Sequence, residues 1–308
     1  MVHALLDTPL HRRRQTLAVA CWFYFPVIAF LLTVLIVSSV RMGWTVIVLY
    51  TVWFVVSLKD PFDGSERRQI LRKMLVKMRI FKHFADYFPV TVHYHNQSDL
   101  ALSMHGKQFM FGYHPHGIFG LGAVAVFAIN KPPTLEKLKL RLLTVDFNFY
   151  IPFWREMMMG LGLAGVGRES VRALLASKHS LAIVIGGARE ALDAMPGCCD
   201  LVLRKRKGFF REAMMHGCAI VPVFGFGENE LYDQINRRQD SALRRLQDRL
   251  IHIFGFTLPL FNGRGMFNYK RGILPRRQPI HVVIGEPIPV CKRLNPTLKE
   301  IDALQETY

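Results

Sequence analysis

The feature that most limits what this chain can fold into is a run of 24 residues without a charge, Leu17 to Val40. As a helix, such a run is long enough to cross the hydrocarbon core of a bilayer. Arg41-Met42-Gly43 interrupts it, and a second uncharged run of 15 residues follows, Trp44 to Leu58. At ~1.5 Å per residue the second run covers only about 22 Å, short of the ~30 Å core. The two runs read as a membrane-embedded helical hairpin, with Pro26 as a kink position in its first arm. Whether the hairpin spans the bilayer stays open. A cleaved signal peptide is the rival reading. Against it, the first run is too long for an h-region and a second follows at once.

Charge gives the hairpin a direction. Arg12, Arg13 and Arg14 precede it; Lys59, Arg67, Arg68, Arg72, Lys73, Lys77, Arg79 and Lys82 follow it, while the tip carries only Arg41. By the positive-inside rule both ends are cytosolic. The chain therefore divides into a basic N-terminus (1–16), a hairpin (17–40 and 44–58), an amphipathic basic linker (59–86) and a folded domain (87–308). Within the linker, Glu66 to Phe84 mixes cations with Ile70, Leu71, Leu75, Val76, Ile80 and Phe81. That pattern suits either a helix on an anionic leaflet or an ordinary core helix.

The formal net charge of +17 calls for anionic partners: nucleic acid, acidic lipid or a phosphorylated substrate. A membrane anchor without interleaved basic and aromatic residues excludes nucleic acid. Cys21, Cys198, Cys199, Cys218 and Cys291 show neither a disulfide framework nor zinc-ligand spacing, so reduced thiols and no metal are expected.

From Tyr87 onward, short β-rich apolar runs alternate with glycine loops and helical stretches, the signature of one α/β domain. The predicted strands are Gln108–Tyr113, Leu140–Val145, Leu181–Ile185, Cys218–Phe224 and Ile280–Ile284. Each ends where a loop can carry chemistry, because ligands of open α/β sheets bind at the carboxyl ends of strands. The first runs into His114-Pro115-His116-Gly117, the third into Gly186-Gly187-Ala188-Arg189-Glu190, and the fourth into Gly225-Phe226-Gly227-Glu228. By contrast, Gly160-Leu161-Gly162-Leu163-Ala164-Gly165 matches a dinucleotide fingerprint only in form. It follows a helical stretch and lacks the acidic residue about 20 positions on.

Two imidazoles on a tight turn after a strand suit general-base chemistry, in which a histidine takes the proton of an attacking alcohol. His116 is the expected base, with His114 structural or assisting. Gly117 lets the backbone approach a ligand and places amides that could hold an oxyanion. Glu190 and Glu228 are carboxylates positioned to orient such a base. Arg204, Lys205, Arg206, Lys207 and Arg211 cluster at the start of a predicted helix, Phe209–His216, where cations and free amides suit phosphates.

These motifs, in this order and after this hairpin, resemble the type-2 diacylglycerol acyltransferase family, which includes monoacylglycerol acyltransferases and some wax synthases. Tyr87-Phe88-Pro89, His114 to Gly117, Asn148 to Glu156, Gly186 to Glu190, Arg206 to Asn229, Leu258 to Gly265 and Gly285 to Val290 carry the resemblance. It implies an enzyme of the endoplasmic reticulum membrane and lipid droplets, whose catalytic domain the charge bias makes cytosolic. The reaction implied is transfer of an acyl group from acyl-CoA to diacylglycerol or another neutral glyceride. No cofactor is expected, since acyl-CoA is a substrate; membrane lipid is a partner, and the sequence leaves a homo-oligomer open. The fold implied is α/β, a glycerophosphate-acyltransferase-like sheet with flanking helices. Asn148, Arg155, Glu156 and Glu228 become supporting site residues, and the basic cluster becomes the acyl-CoA phosphate site.

The chain departs from the His-x₄-Asp dyad of glycerophosphate acyltransferases. Phe119 and Leu121 stand where the aspartate would follow His114 or His116, which makes Glu190 the first candidate to orient the base. Phe30-Leu31-Leu32-Thr33 matches a lipid-binding element of the family only in part and takes no role. No serine or cysteine sits in a nucleophile elbow, so direct transfer in a ternary complex is expected. Monoacylglycerol or a long-chain alcohol as acceptor is the alternative, and a non-catalytic membrane or lipid-droplet protein the reading from another class. Asn96-Gln97-Ser98 fits a glycosylation acceptor that a cytosolic domain would leave unmodified.

Overall fold

A computed structural model describes residues 8–38, 43–64, 74–95, 106–234, 241–257, 259–267 and 270–308. The first apolar run lies in one helix, α1 (Leu10–Ser38), which also takes in Arg12–Arg14 and is long and apolar enough to cross a membrane. The second is a shorter helix packed beside it, α2 (Gly43–Val56). Large apolar side chains along both stay uncovered, among them Leu31, Leu35, Leu49 and Val56, each about 60 % exposed or more. Protein does not bury them, so lipid is the medium that suits them, and the chain is membrane-associated.

The first half of α1 belongs to the folded domain. Ala18, Val19 and Ala20 are buried in its core, and the Trp22 ring centroid lies 4.9 Å from that of Phe84 and 5.4 Å from that of Trp154. Phe84 sits on α3 (Arg79–Tyr87), whose Phe81, Phe84, Ala85 and Tyr87 are buried against α1. The described end of the basic linker is thus a core helix, and Glu66–Lys73 lies outside the described residues.

The domain is a seven-stranded sheet in the order β1-β9-β6-β2-β5-β3-β4. Its strands are β1 (Val90–Tyr94), β2 (Phe109–His114), β3 (Leu140–Thr144), β4 (Leu163–Gly165), β5 (Ser180–Val184), β6 (Ala219–Phe226) and β9 (Ile280–Ile284); β7 (Asp233–Gln234) and β8 (Phe261–Asn262) form a separate ladder. Five of these fall within two residues of a predicted strand. β1, β4 and the short pair β7 and β8 were not anticipated, and β4 occupies the end of the false dinucleotide fingerprint.

β2 is central and every one of its residues is buried. Phe109, Phe111 and Tyr113 face one core with α1 and α3, while Met110 faces the other. This is period-two alternation in a strand covered on both sides. The second core is closed by α5 (Arg168–Ala176), α7 (Lys207–His216) and α9 (Leu298–Thr307), through residues such as Leu174, Phe210 and Ile301.

Strands β5, β2 and β6 run parallel, side by side. Their carboxyl ends therefore open on one edge, and the His114, Glu190 and Glu228 loops meet there. β9 corrects the sequence reading. It runs antiparallel to β6, with Val223 opposite Ile284, so Gly285-Glu286-Pro287 leaves toward the other edge. Hydropathy reports that a strand is buried but not which way it runs.

Candidate active site

The turn after β2 is held from both sides by buried carboxylates. On one side, Glu190 accepts the main-chain N–H of His116 at 2.6 Å and that of Val202 at 2.9 Å. Glu190 belongs to the short helix α6 (Gly187–Ala191) after β5. Burial raises the carboxyl pKa, while those two bonds and the nearby charge of Arg206 pull the other way. It grips the backbone of the turn; the imidazole of His116 turns elsewhere.

On the other side, Glu228 accepts from Leu121 N and Gly122 N, both at 2.8 Å, and from the Tyr113 hydroxyl at 2.9 Å. It thereby satisfies amides at the start of the helical segment after the turn, where a carboxylate suits the helix dipole. Burial pushes its carboxyl up to about 7 against those three donors. Space here is tight. A Cβ on Gly117, whose φ is +58°, would lie 2.7 Å from Glu228 Cγ, and one on Gly122 would lie 2.3 Å from Tyr113 Oη. Gly117 is thus required both for its left-handed backbone and for the room it leaves.

His116 is half-buried, and its Nδ1 lies 3.0 Å from the Gly117 carbonyl oxygen. A carbonyl only accepts, so Nδ1 carries the proton and Nε2 presents a lone pair, the form a general base needs. Burial, with help from Arg206, lowers its pKa and favours the neutral ring. His114 is only 4 % exposed, and burial brings its pKa down to about 4. Its Nε2 lies 3.1 Å from the hydroxyl of Tyr308. Of the turn's amides, His116 N is taken by Glu190, which leaves Gly117 N–H as the donor that neither carboxylate engages.

The basic cluster divides. Arg204 and Lys205 are exposed, and Arg211 is half-buried. Arg206 folds inward, and its Nη2 donates to the Gly186 carbonyl, beside Glu190. Lys207 pairs with Asp302 of α9 at 2.5 Å.

Of the predicted supporting residues, Asn148 bonds to Thr144 and Trp154, while Arg155 and Glu156 meet α2 and the residue just after it. Asn148 Oδ1 accepts from the Trp154 indole at 3.2 Å, and its Nδ2 donates to Thr144 Oγ1 at 2.9 Å. Arg155, on α4 (Trp154–Gly160), is fully buried. It donates to Ser57 O at 2.8 Å and Ser57 Oγ at 3.2 Å, and lies over the Phe54 ring at 4.3 Å. Its guanidinium thus caps the carboxyl end of the second apolar helix. Glu156 accepts from the Tyr50 hydroxyl at 2.9 Å, and that hydroxyl accepts Phe153 N at 3.1 Å.

Sequence reasoning missed Tyr113 and Tyr308. Tyr113 has a local signal, a phenol immediately before the turn. Tyr308 has none, since it meets His114 from 194 residues away.

The profile of the diacylglycerol acyltransferase family matches residues 36–308. A diacylglycerol O-acyltransferase 2A of Umbelopsis ramanniana is 41 % identical over 294 residues, covering 94 % of this chain and 80 % of the relative. A diacylglycerol O-acyltransferase 2 of Dictyostelium discoideum is 37 % identical over 308 residues, 98 % of this chain and 90 % of the relative. A 2-acylglycerol O-acyltransferase 1 of Bos taurus is 38 % identical over 321 aligned positions, 99 % of this chain and 91 % of the relative.

Proposed function

The chain belongs to the diacylglycerol acyltransferase family, and from that premise we propose that it transfers a fatty acyl group from acyl-CoA to the free hydroxyl of diacylglycerol. The products are triacylglycerol and CoA. The observation that carries the mechanism is the contact of His116 Nδ1 with the Gly117 carbonyl, which leaves Nε2 as the acceptor of the neutral ring, at the meeting point of three parallel strand ends. His116 takes the hydroxyl proton as the oxygen attacks the thioester carbonyl. The Gly117 amide stabilises the oxyanion, the thiolate of CoA leaves, and the proton follows it. Glu190 and Glu228 hold the turn in register and exchange no proton with substrate.

Exposed Arg204 and Lys205, with half-buried Arg211, are the cations free to meet the phosphates of CoA. Arg206 supports the site from within through its hold on Gly186. The apolar helices keep the glyceride in the bilayer beside a water-facing CoA site. The arginine and lysine bias on both flanks supports a cytosolic catalytic domain at the endoplasmic reticulum membrane or a lipid droplet. Parallel strands presenting a histidine turn at their carboxyl ends also support a glycerophosphate-acyltransferase-like fold.

Microsomes carrying the chain should convert labelled acyl-CoA and diacylglycerol to triacylglycerol; no transfer above the empty-vector level overturns the reading. The 38 % identity to a 2-acylglycerol O-acyltransferase favours monoacylglycerol as the second acceptor to try. An acceptor panel with the purified protein separates the two. For topology, added protease should reach the domain in sealed microsomes, and Asn96, outside the described residues, should carry no glycan.

A further inference from the structure

Tyr308 is the last residue of the chain, yet its side chain ends against the catalytic turn. Its hydroxyl donates to the Gly112 carbonyl at 2.9 Å and lies 3.1 Å from His114 Nε2. A phenol has one proton, and here Gly112 O takes it, so His114 Nε2 must be the donor to Tyr308. His114 is thereby held as the Nε2–H tautomer. The same hydroxyl ties the imidazole to a main-chain carbonyl two residues upstream, stapling the end of β2 to the start of the turn.

Packing supports the contact. The Tyr308 ring lies 5.3 Å from that of Phe210, 6.0 Å from Phe209 and 5.8 Å from His114, centroid to centroid. Gly112 makes room for it, since a Cβ there would sit 2.2 Å from Tyr308 Oη. Helix α9, which delivers the tyrosine, is fixed at both ends. Thr297 and Glu300 form a capping box, Lys207 pairs with Asp302, and Gln305 donates to Leu203 O at 2.8 Å. Side-chain freedom is thus lost before substrate arrives.

Resting on the acyltransferase reading, we propose that Tyr308 is a positioning residue for catalysis. It sets the tautomer and orientation of His114, and through His114 it holds the turn on which His116 acts. It touches no substrate. The hydroxyl is the active part, and the ring is its support.

The test is a double-mutant cycle in the full-length, membrane-inserted protein with Tyr308→Phe, His114→Ala and the double variant. Tyr308→Phe should lower kcat about tenfold, the loss of one well-placed hydrogen bond, and leave KM for acyl-CoA and diacylglycerol unchanged. The double variant should be no slower than His114→Ala alone. Multiplying effects, a raised KM or an unchanged kcat would each overturn the proposal. Gly112→Ala displaces the hydroxyl from the opposite side and should reproduce the kcat loss; normal turnover in that variant counts against the proposal as well. The same cycle read by thermal unfolding needs no activity. Coupling between Tyr308 and His114 there sustains the contact even if the wild-type chain transfers no acyl group, an outcome that would sink the acyltransferase reading instead. Strictly additive melting shifts would sink the contact.

Discussion

The two carboxylates beside the histidine turn are alike in sequence context and different in use. Glu190 and Glu228 each follow a parallel strand and a glycine, and each is 2 % exposed. Glu228 is saturated by Tyr113 and two amides that begin the next helical segment, so it works as scaffold. Glu190 reaches the main chain of His116 itself and shares its surroundings with Arg206, so it bears on where His116 sits. The comparison teaches that a buried carboxylate beside a histidine turn is read from the donors it satisfies. Proximity alone says little.

The comparison breaks first at His116, the proposed base, whose turn both carboxylates hold. His116→Ala should lower transfer by roughly 10²–10⁴-fold, the worth of a general base, while membrane insertion is kept. Near-normal turnover in that variant would remove His116 from the mechanism.

Glu228→Ala sharpens the scaffold side. It orphans buried donors that cost about 1–3 kcal/mol each, so a loss of ~3 kcal/mol and a fall in Tm of about 6–12 °C are expected by thermal unfolding. A stable variant that lost only activity would place Glu228 with the chemistry. The same residue predicts a pH effect. Its carboxyl is raised from 4.5 to about 7, so the folded state binds the extra proton between those values. The stability it contributes is full below 4.5 and lost as pH climbs through 7. Tm should therefore decline over that window, and Glu228→Gln should flatten the decline; an equal slope in both proteins would deny the shift.

Glu190→Gln is the gentler change, because the amide oxygen can still accept from His116 N. It should lower kcat by about tenfold, a weakened hydrogen bond to the turn, with KM for acyl-CoA unchanged. A KM effect without a kcat effect would move Glu190 from the turn to the substrate.

The smallest effect belongs to the exposed cations. Neutralising Arg204 and Lys205 together should raise the acyl-CoA KM by about threefold to tenfold, a few tenths to one kcal/mol for each surface charge, and leave the glyceride KM alone. Added salt should erase the difference. Equal effects on both substrates would point to membrane docking.

What the sequence determined by itself is what one-dimensional pattern can carry. The uncharged runs dictated two apolar helices, since length and the absence of charge are local properties. Apolar runs ending in glycine loops located five of the strands and put His116, Glu190 and Glu228 at three strand ends. Tertiary structure decided the rest. Strand direction reversed β9 and moved Gly285-Glu286 to the far edge, because burial looks the same whichever way a strand runs. Arg155 and Glu156, adjacent to recognisable site motifs, face α2 because their partners Ser57 and Tyr50 lie about a hundred residues away in the chain. Arg206 and Lys207 left the surface cluster for Gly186 and Asp302 for the same reason. The tautomer of His114 was set by Tyr308, across 194 residues. Residue type tells which hydrogen bonds a side chain can make; which partner arrives depends on packing distant segments into one core.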